Sequence, residues 1–194
     1  GRLQAIYRTS DGSIAGVDAS TEVPIKYTPL EQKYSYGYET IGIPGVVAGL
    51  IKLQEDHGVL ELNAVLAPAI NYAENGYVML PGEALRQQIA AEKIAEFVGS
   101  SHHFLKGNGT ANSAGDLIIQ KDLAEVLKAI AAKGRKGFYE GEVARKIVED
   151  IQANGGIITL EDLKNYKALS SKIVDGVFKD HKVHSLYLPS FGAI

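Results

Sequence analysis

Residues 138–167 of the chain, FYEGEVARKIVEDIQANGGIITLEDLKNYK, carry the clearest structural pattern in the sequence. The first half predicts an amphipathic helix, because apolar side chains recur on one face at helical spacing and charged side chains lie opposite. The apolar face is formed by Val143, Ala144, Ile147, Val148 and Ile151. The sequence Asn154-Gly155-Gly156 predicts the end of this helix, since glycine readily adopts the left-handed conformation that closes many helices.

A second, shorter helix is predicted soon after the two glycines. Thr159 stands three residues before Asp162, which is the spacing of a capping box at a helix N-terminus. A short strand is predicted between the glycines and Thr159. We therefore predict one packed supersecondary unit that consists of a helix, a glycine turn, a short strand and a capped helix.

The composition is that of a globular protein without a strong charge. The 194 residues are 45% apolar and 22% charged, and the formal net charge of -3 gives no electrostatic signature for binding nucleic acid or membranes. Cysteine is absent, which excludes disulfides and thiolate chemistry but leaves the cellular compartment open. No apolar run approaches the roughly 20 residues that a membrane span needs. We predict a single domain over residues 1–194.

Strand pairs are predicted near both ends of the chain, with helices between them. The predicted strands are residues 3–7, 14–17, 173–178 and 182–187. The predicted intervening helices include residues 44–57, 65–75, 81–98 and 123–134, and a surface loop is predicted over residues 99–115. Leu85 and Ile89 are predicted to face the core. Four to five helices between short strand pairs indicate the α+β class.

Residues 24–42 predict a long irregular connection that contains four tyrosines. Loops of this length inside compact domains are often functional or mobile. A connection that only covers the core is the favoured interpretation, and a functional role stays open.

The residues alone supply no convincing catalytic group, metal site or cofactor site. Neither a Gly-x-Ser-x-Gly elbow nor a Ser-x-x-Lys acylation motif is present. His102-His103 and the pair His181 and His184 have no cysteine or carboxylate cluster beside them in the sequence, so we predict no metal site. The acidic pair Glu161-Asp162 is explained by helix capping and the helix dipole.

Three colinear stretches resemble the gamma-glutamyltranspeptidase family. Residues 138–168 resemble that family's Phe-Tyr-x-Gly segment, its helix and its Asn-Gly-Gly-x-Ile-Thr-x-Glu-Asp-Leu run. Residues 41–50, IGIPGVVAGL, resemble its Gly-x-Pro-Gly-x-Val-Ala-Gly segment, and residues 66–77, LAPAINYAENGY, resemble a third segment. The whole chain resembles an inner segment of the family's large subunit.

The resemblance implies a fold and a chemistry. Family members are N-terminal-nucleophile hydrolases of αββα fold. Their precursor cuts itself, and the new N-terminal threonine attacks a γ-glutamyl amide. That threonine belongs to the small subunit, so the resemblance implies no catalytic residue in this segment and no activity of the segment alone.

The resemblance also implies the partners of the chain. We expect a small subunit from the same precursor and a small γ-glutamyl or related amide, such as glutathione, and no cofactor. A periplasmic or extracellular location is expected if the protein follows the family, and the cytoplasm stays open.

Two departures from the family pattern fall at positions that, by the resemblance, lie near the substrate. The family's stretch Leu-Asp-x-Arg-Glu-x-Ala-Pro carries an arginine that binds the substrate's α-carboxylate with its planar fork. Residues 17–24 here are VDASTEVP, so Ser20 occupies the arginine position and brings no charge. Near the chain end, Phe191 stands where the family has a second serine. The substrate-binding residues that the resemblance implies are Ser20, Thr21, Glu22, Ser190, Phe191 and Gly192.

Two hypotheses follow from these observations. The first is a γ-glutamyltransferase-like amidohydrolase with altered specificity or reduced activity, which predicts weak hydrolysis of glutathione. The second is a degenerate, non-catalytic homologue that acts as a structural or binding domain. A self-cleavage site followed by threonine in the complete protein would favour the first hypothesis.

Overall fold

The computed structural model describes residues 1–29 and 34–187 of the chain. The strands are β1 (Leu3–Arg8), β2 (Ile14–Ala19), β3 (Tyr77–Val78), β4 (Leu117–Ile118), β5 (Leu169–Ser171), β6 (Ile173–Phe178) and β7 (His181–Leu186). The α-helices are α1 (Val46–His57), α2 (Leu62–Asn75), α3 (Pro81–Ala95), α4 (Val98–Phe104), α5 (Lys121–Lys133), α6 (Lys136–Tyr139), α7 (Gly141–Ala153) and α8 (Leu160–Asn165).

The chain divides into two compact units. Unit 1 combines Gly1–Glu61 with Ala132–Ile194, and unit 2 consists of Leu62–Ala131. The single domain over residues 1–194 stays a prediction, because a division into compact units does not show whether the units fold separately.

Unit 1 contains both of the predicted strand pairs. β1 and β2 form an antiparallel hairpin, and β5 adds to β2 to give a three-stranded antiparallel sheet. β6 and β7 form a separate antiparallel pair. The two sheets touch at Gly16 of β2, where a Cβ atom would overlap the side chain of Leu186 from β7. Glycine at this position therefore lets Leu186 pack directly against the strand.

The core of unit 1 is built mainly by α7, α8 and the residues between them. Ala144, Val148 and Ile151 of α7 are buried, which confirms the predicted apolar face of this helix. The buried cluster comprises Ile43, Ala48, Tyr139, Ala144, Val148, Ile151, Ile158, Leu163 and Tyr166. Burial of each large apolar side chain contributes roughly 1.5–3 kcal/mol, so this cluster is a main source of stability in unit 1.

The connection between α7 and α8 agrees with the sequence in one respect and differs in another. The predicted capping box is confirmed, because Thr159 and Asp162 each bond to the other's backbone amide. The predicted short strand is wrong. Within residues 1–29 and 34–187, Ile158 pairs with no strand and its carbonyl accepts a hydrogen bond from the Gln152 side chain at 2.9 Å. Burial in the core, rather than membership of a sheet, therefore explains why position 158 carries an apolar residue.

Unit 2 consists of α2, α3, α4, most of α5, and the short antiparallel pair of β3 and β4. The predicted helix over residues 81–98 ends earlier, at Ala95, because the backbone of Phe97 is extended. Residues 98–104 then form α4, so the predicted loop is helical at its start. Leu85 and Ile89 are 57% and 76% exposed, so their assignment to the core is wrong: periodicity marks an apolar face without showing what covers it.

The fold class is α+β, as predicted. The described residues contain eight α-helices where four to five are predicted between the strand pairs. The short helices α4 and α6 account for part of the difference, because neither is long enough to show an apolar stripe. In residues 1–29 and 34–187, every helix is too short or too polar to cross a membrane.

Candidate functional site

Two of the predicted site residues line a cavity of about 620 Å³ in unit 1. Thr21 and Glu22 follow β2 and form part of its wall, whereas Ser20 is not among the lining residues. The other predicted site residues, Ser190, Phe191 and Gly192, lie outside the residues that the structure describes. The structure therefore places half of the predicted site.

The cavity wall combines the end of β2 with the irregular connection that precedes α1. Residues 21–24 and 39–42 form most of the wall, and Ile157 adds an apolar side chain from the connection before α8. Glu22 and Ile43 join these two stretches by backbone hydrogen bonds of 3.3 Å and 2.8 Å. The connection predicted over residues 24–42 thus lines a cavity as well as covering the core.

The described part of the cavity wall carries negative charge. Among the lining residues that the structure describes, only Glu22 and Glu39 carry a formal charge, and both are carboxylates. Carboxylates attract an ammonium group and repel the carboxylate of a ligand. These two carboxylates therefore favour an amine over a carboxylate in their neighbourhood.

Ser20 forms a tight turn with Asp18 at the end of β2. The backbone amide and the hydroxyl of Ser20 both donate to Asp18 Oδ1, at 3.0 Å and 2.6 Å. The hydroxyl proton is therefore engaged within the chain. Ser20 supplies neither the positive charge nor a free donor with which an arginine would bind a ligand carboxylate.

Helix α8 and the residue after it bind the stretch of residues 20–25, which we call the site segment. The Tyr166 hydroxyl donates to the Ser20 carbonyl oxygen at 2.7 Å. At the other end of the segment, the Ile25 amide donates to Asp162 Oδ1 at 2.9 Å. Two residues from the α8 region therefore fix both ends of the stretch that carries Thr21 and Glu22.

Asp162 is 2% exposed and has a double role. Oδ2 accepts from the Thr159 amide at 2.8 Å and from the Thr159 hydroxyl at 2.6 Å, while Oδ1 accepts from Ile25. Burial alone would raise the pKa of the Asp162 carboxyl, but these hydrogen bonds outweigh it and hold the pKa below its ordinary value. The carboxylate is therefore ionised at neutral pH. In this form it accepts hydrogen bonds from Ile25 of the site segment and from Thr159.

Tyr166 is 1% exposed, and its hydroxyl remains a proton donor. Burial, followed by the nearby Tyr139, Glu22 and Asp18, raises the pKa of Tyr166 well above its ordinary value. The ring stacks on that of Tyr139, with centroids 5.7 Å apart and planes 7° from parallel. The hydrogen bond to Ser20 therefore starts from a side chain that the core holds rigidly.

Tyr139 and Arg135 both contact Tyr166 and support its position. The Tyr139 hydroxyl donates to the Pro44 carbonyl at 2.7 Å and accepts from the Ala48 amide at 3.2 Å, which ties it to the start of α1. The Arg135 guanidinium lies 4.8 Å from the centre of the Tyr139 ring. Arg135 Nη2 also donates to the carbonyls of Lys164, at 2.8 Å, and Tyr166, and so caps the C-terminal end of α8.

The sequence shows only part of this arrangement. The capping box is visible from the spacing of Thr159 and Asp162, but the bond to Ile25 joins residues 137 positions apart. The bond from Tyr166 to Ser20 spans 146 positions. The only sequence signals are a tyrosine and an arginine at the edges of the predicted unit, and neither carries information about a distant partner.

Comparison with known proteins matches the whole chain to one family. The family model described as Gamma-glutamyltranspeptidase matches residues 1–194. The "Glutathione hydrolase proenzyme" of Escherichia coli is 31% identical over 202 residues, covering 97% of this chain and 34% of that protein. The "Capsule biosynthesis protein CapD proenzyme" of Bacillus anthracis is 37% identical over 152 residues, covering 78% of this chain and 27% of that protein.

Solved structures show the same relationship. The chain matches the crystal structure of the Helicobacter pylori gamma-glutamyltranspeptidase with a TM-score of 0.94 and 34% identity, over 98% of this chain and 57% of that one. The chain spans about a third or less of the length of these two curated relatives. Sequence and fold agree over nearly all of its residues, and the chain belongs to the gamma-glutamyltranspeptidase family.

Proposed function

We propose that this chain is the large-subunit part of an N-terminal-nucleophile amidohydrolase that transfers or hydrolyses a γ-glutamyl or related acyl amide. The observation that carries this proposal is the family match over residues 1–194. Relatives that bear the name glutathione hydrolase support the reaction class. The nucleophile is the N-terminal threonine of a small subunit, outside this chain, and its own α-amino group serves as the base.

The proposed partner is a small subunit cut from the same precursor. Relatives are named proenzymes, which supports the release of an active enzyme by processing. In this assembly the chain binds the acyl donor through the site segment and through residues 190–192, and it contributes no reacting group.

The proposed acyl donor differs from an ordinary γ-glutamyl compound at its α-carboxylate. Ser20 replaces the arginine that the family pattern predicts, and its hydroxyl already donates to Asp18. The nearby charged residues Glu22 and Glu39 also disfavour a second carboxylate. We therefore expect poor turnover of glutathione and better turnover of an amide whose acyl part has an amine and no free α-carboxylate.

Expression of the complete reading frame tests the reaction class. Two bands on a denaturing gel, with threonine at the start of the smaller fragment, are expected for a self-processing enzyme. A single unprocessed band would instead support the degenerate, non-catalytic homologue, for which the loss of the arginine at position 20 is the favouring observation.

Substitution of Ser20 tests the proposed specificity in the processed protein. Ser20→Arg should lower KM for glutathione about tenfold, because a charged hydrogen bond contributes roughly 1.5–3 kcal/mol. Ser20→Ala is the matched control and should leave this KM within about twofold, since the serine hydroxyl is engaged by Asp18. Efficient glutathione turnover by the unmodified protein would refute the specificity argument without refuting the reaction class.

A further inference from the structure

Unit 2 brings two histidines and one carboxylate together on its surface. His102 and His103 lie in the last turn of α4, and Asp122 lies in the first turn of α5. One ligand atom from each of the three residues lies within 4.8 Å of the other two. The sequence places no carboxylate beside the histidines, but the fold supplies one from 19 positions further along the chain.

The three ligand atoms lie somewhat farther apart than in an occupied metal centre. Ligand atoms around a tetrahedral Zn²⁺ ion lie about 3.3 Å apart, given metal–ligand bonds of about 2.0–2.2 Å. His103 Nδ1 and Asp122 Oδ2 are 4.0 Å apart, and the two imidazole rings are 5.0 Å apart between centroids. The side chains of His103 and Asp122 are 44% and 78% exposed. Small rotations about their side-chain bonds can therefore shorten the 4.0 Å distance between the two ligand atoms.

The chemistry of the donors selects the kind of ion. Neutral imidazole nitrogen and carboxylate oxygen together suit Zn²⁺ and its neighbours in the first transition series, whereas Mg²⁺ and Ca²⁺ prefer oxygen ligands alone. Three protein ligands leave one position of a tetrahedral ion open to water.

We infer that His102, His103 and Asp122 form a surface site for a divalent transition-metal ion, with Zn²⁺ as the reference ion. The site joins the end of α4 to the start of α5, within unit 2. It is a binding site that links two helices.

Isothermal titration of the complete protein with Zn²⁺, after purification without a polyhistidine tag, tests this inference. His102→Gln, His103→Gln and Asp122→Asn should each weaken one Zn²⁺ site by about tenfold or more, because each removes a direct ligand. His181→Gln is the matched control, since His181 is also exposed but lies in β7 of unit 1. This control should bind Zn²⁺ as the unmodified protein does.

Two results would overturn the inference. Equal Zn²⁺ binding by the unmodified protein and by His103→Gln would show that the histidine pair is not a site. Unchanged Zn²⁺ affinity in Asp122→Asn would show that this carboxylate is not a ligand and that the ion does not link α4 to α5. Far-ultraviolet circular dichroism of each variant checks that α4 and α5 remain folded, and none of these readouts depends on amidohydrolase activity.

Discussion

Two regions of unit 1 are stabilised in different ways. The first is the region of α7 and α8, and the second is the site segment. Ala144 and Leu163 in the first region are fully buried, and their side chains pack in one apolar cluster. In the site segment, Thr21 and Glu22 are exposed and the Val23 side chain is 65% exposed. The segment is held by hydrogen bonds: Asp162 and Tyr166 of the first region bind its two ends, and Ile43 pairs with Glu22 between them. Its position therefore depends on a few polar contacts, while the fold depends on apolar burial.

Gly45→Ala should have the largest effect, because it disturbs the close contact between the residue before the site segment and Tyr166. A Cβ atom at this position would overlap the Ala19 carbonyl oxygen and the Tyr166 hydroxyl. We expect a loss of about 3 kcal/mol in the free energy of unfolding, measured by urea denaturation. Gly82→Ala on α3 is the matched control, where the nearest atom is an Arg86 side-chain nitrogen at 3.7 Å. It should stabilise the protein by up to about 1 kcal/mol, and equal losses in both variants would refute the close-contact argument.

Asp162→Ala should have the next largest effect. It leaves the Ile25 amide and the Thr159 amide without their acceptor and removes half of the capping box. We expect a loss of about 2–3 kcal/mol in the free energy of unfolding. The adjacent Glu161 is exposed, so Glu161→Ala should change this free energy by less than about 0.5 kcal/mol. A similar loss in both variants would mean that only the helix dipole matters at this position.

The effect of Asp162 should also depend on pH. Because the folded protein holds the pKa of Asp162 below its unfolded value of about 3.9, the carboxylate contributes its full stability above about pH 5. That contribution is lost as the pH falls through the lower, folded pKa. The difference in free energy of unfolding between the unmodified protein and Asp162→Asn should therefore be constant from about pH 5 to 8 and shrink at lower pH. A difference that stays constant down to pH 2 would contradict this account.

Tyr166→Phe should have the smallest effect on stability and the most specific effect on the site segment. It removes only the hydrogen bond to Ser20, at a cost of about 1 kcal/mol, and keeps the ring stacked on Tyr139. If the site segment binds the acyl donor as proposed, KM should rise roughly two- to fivefold. Tyr72→Phe on the exposed face of α2 is the control, and it should change neither quantity. A change in kcat without a change in KM would exclude a positioning role for Tyr166.

The comparison also explains what could be predicted from the sequence. The apolar face of α7 and the capping box before α8 were predictable, because each is a local pattern that repeats within a few residues. Both strand pairs were predictable for the same reason. The break near Phe97 was missed because the nearest glycine, Gly99, lies two residues later and inside α4. The exposure of Ile89 was missed because periodicity does not identify a covering element.

The candidate site was less predictable than the fold. The resemblance to the family located Thr21 and Glu22, which line the cavity, but it gave no reason to connect Ser20 with Tyr166. Contacts between residues more than 100 positions apart depend on how the units of secondary structure pack. A single sequence contains no record of that packing, so Asp162 could be assigned only its local role.

The contact between Gly16 and Leu186 has a consequence for how the family varies. The leucine occupies the space that any side chain at position 16 would need. A larger residue at position 16 is therefore tolerated only when the side chain at position 186 becomes smaller or turns away. Among relatives, these two positions should change together, one gaining volume as the other loses it, although they lie 170 positions apart along the chain.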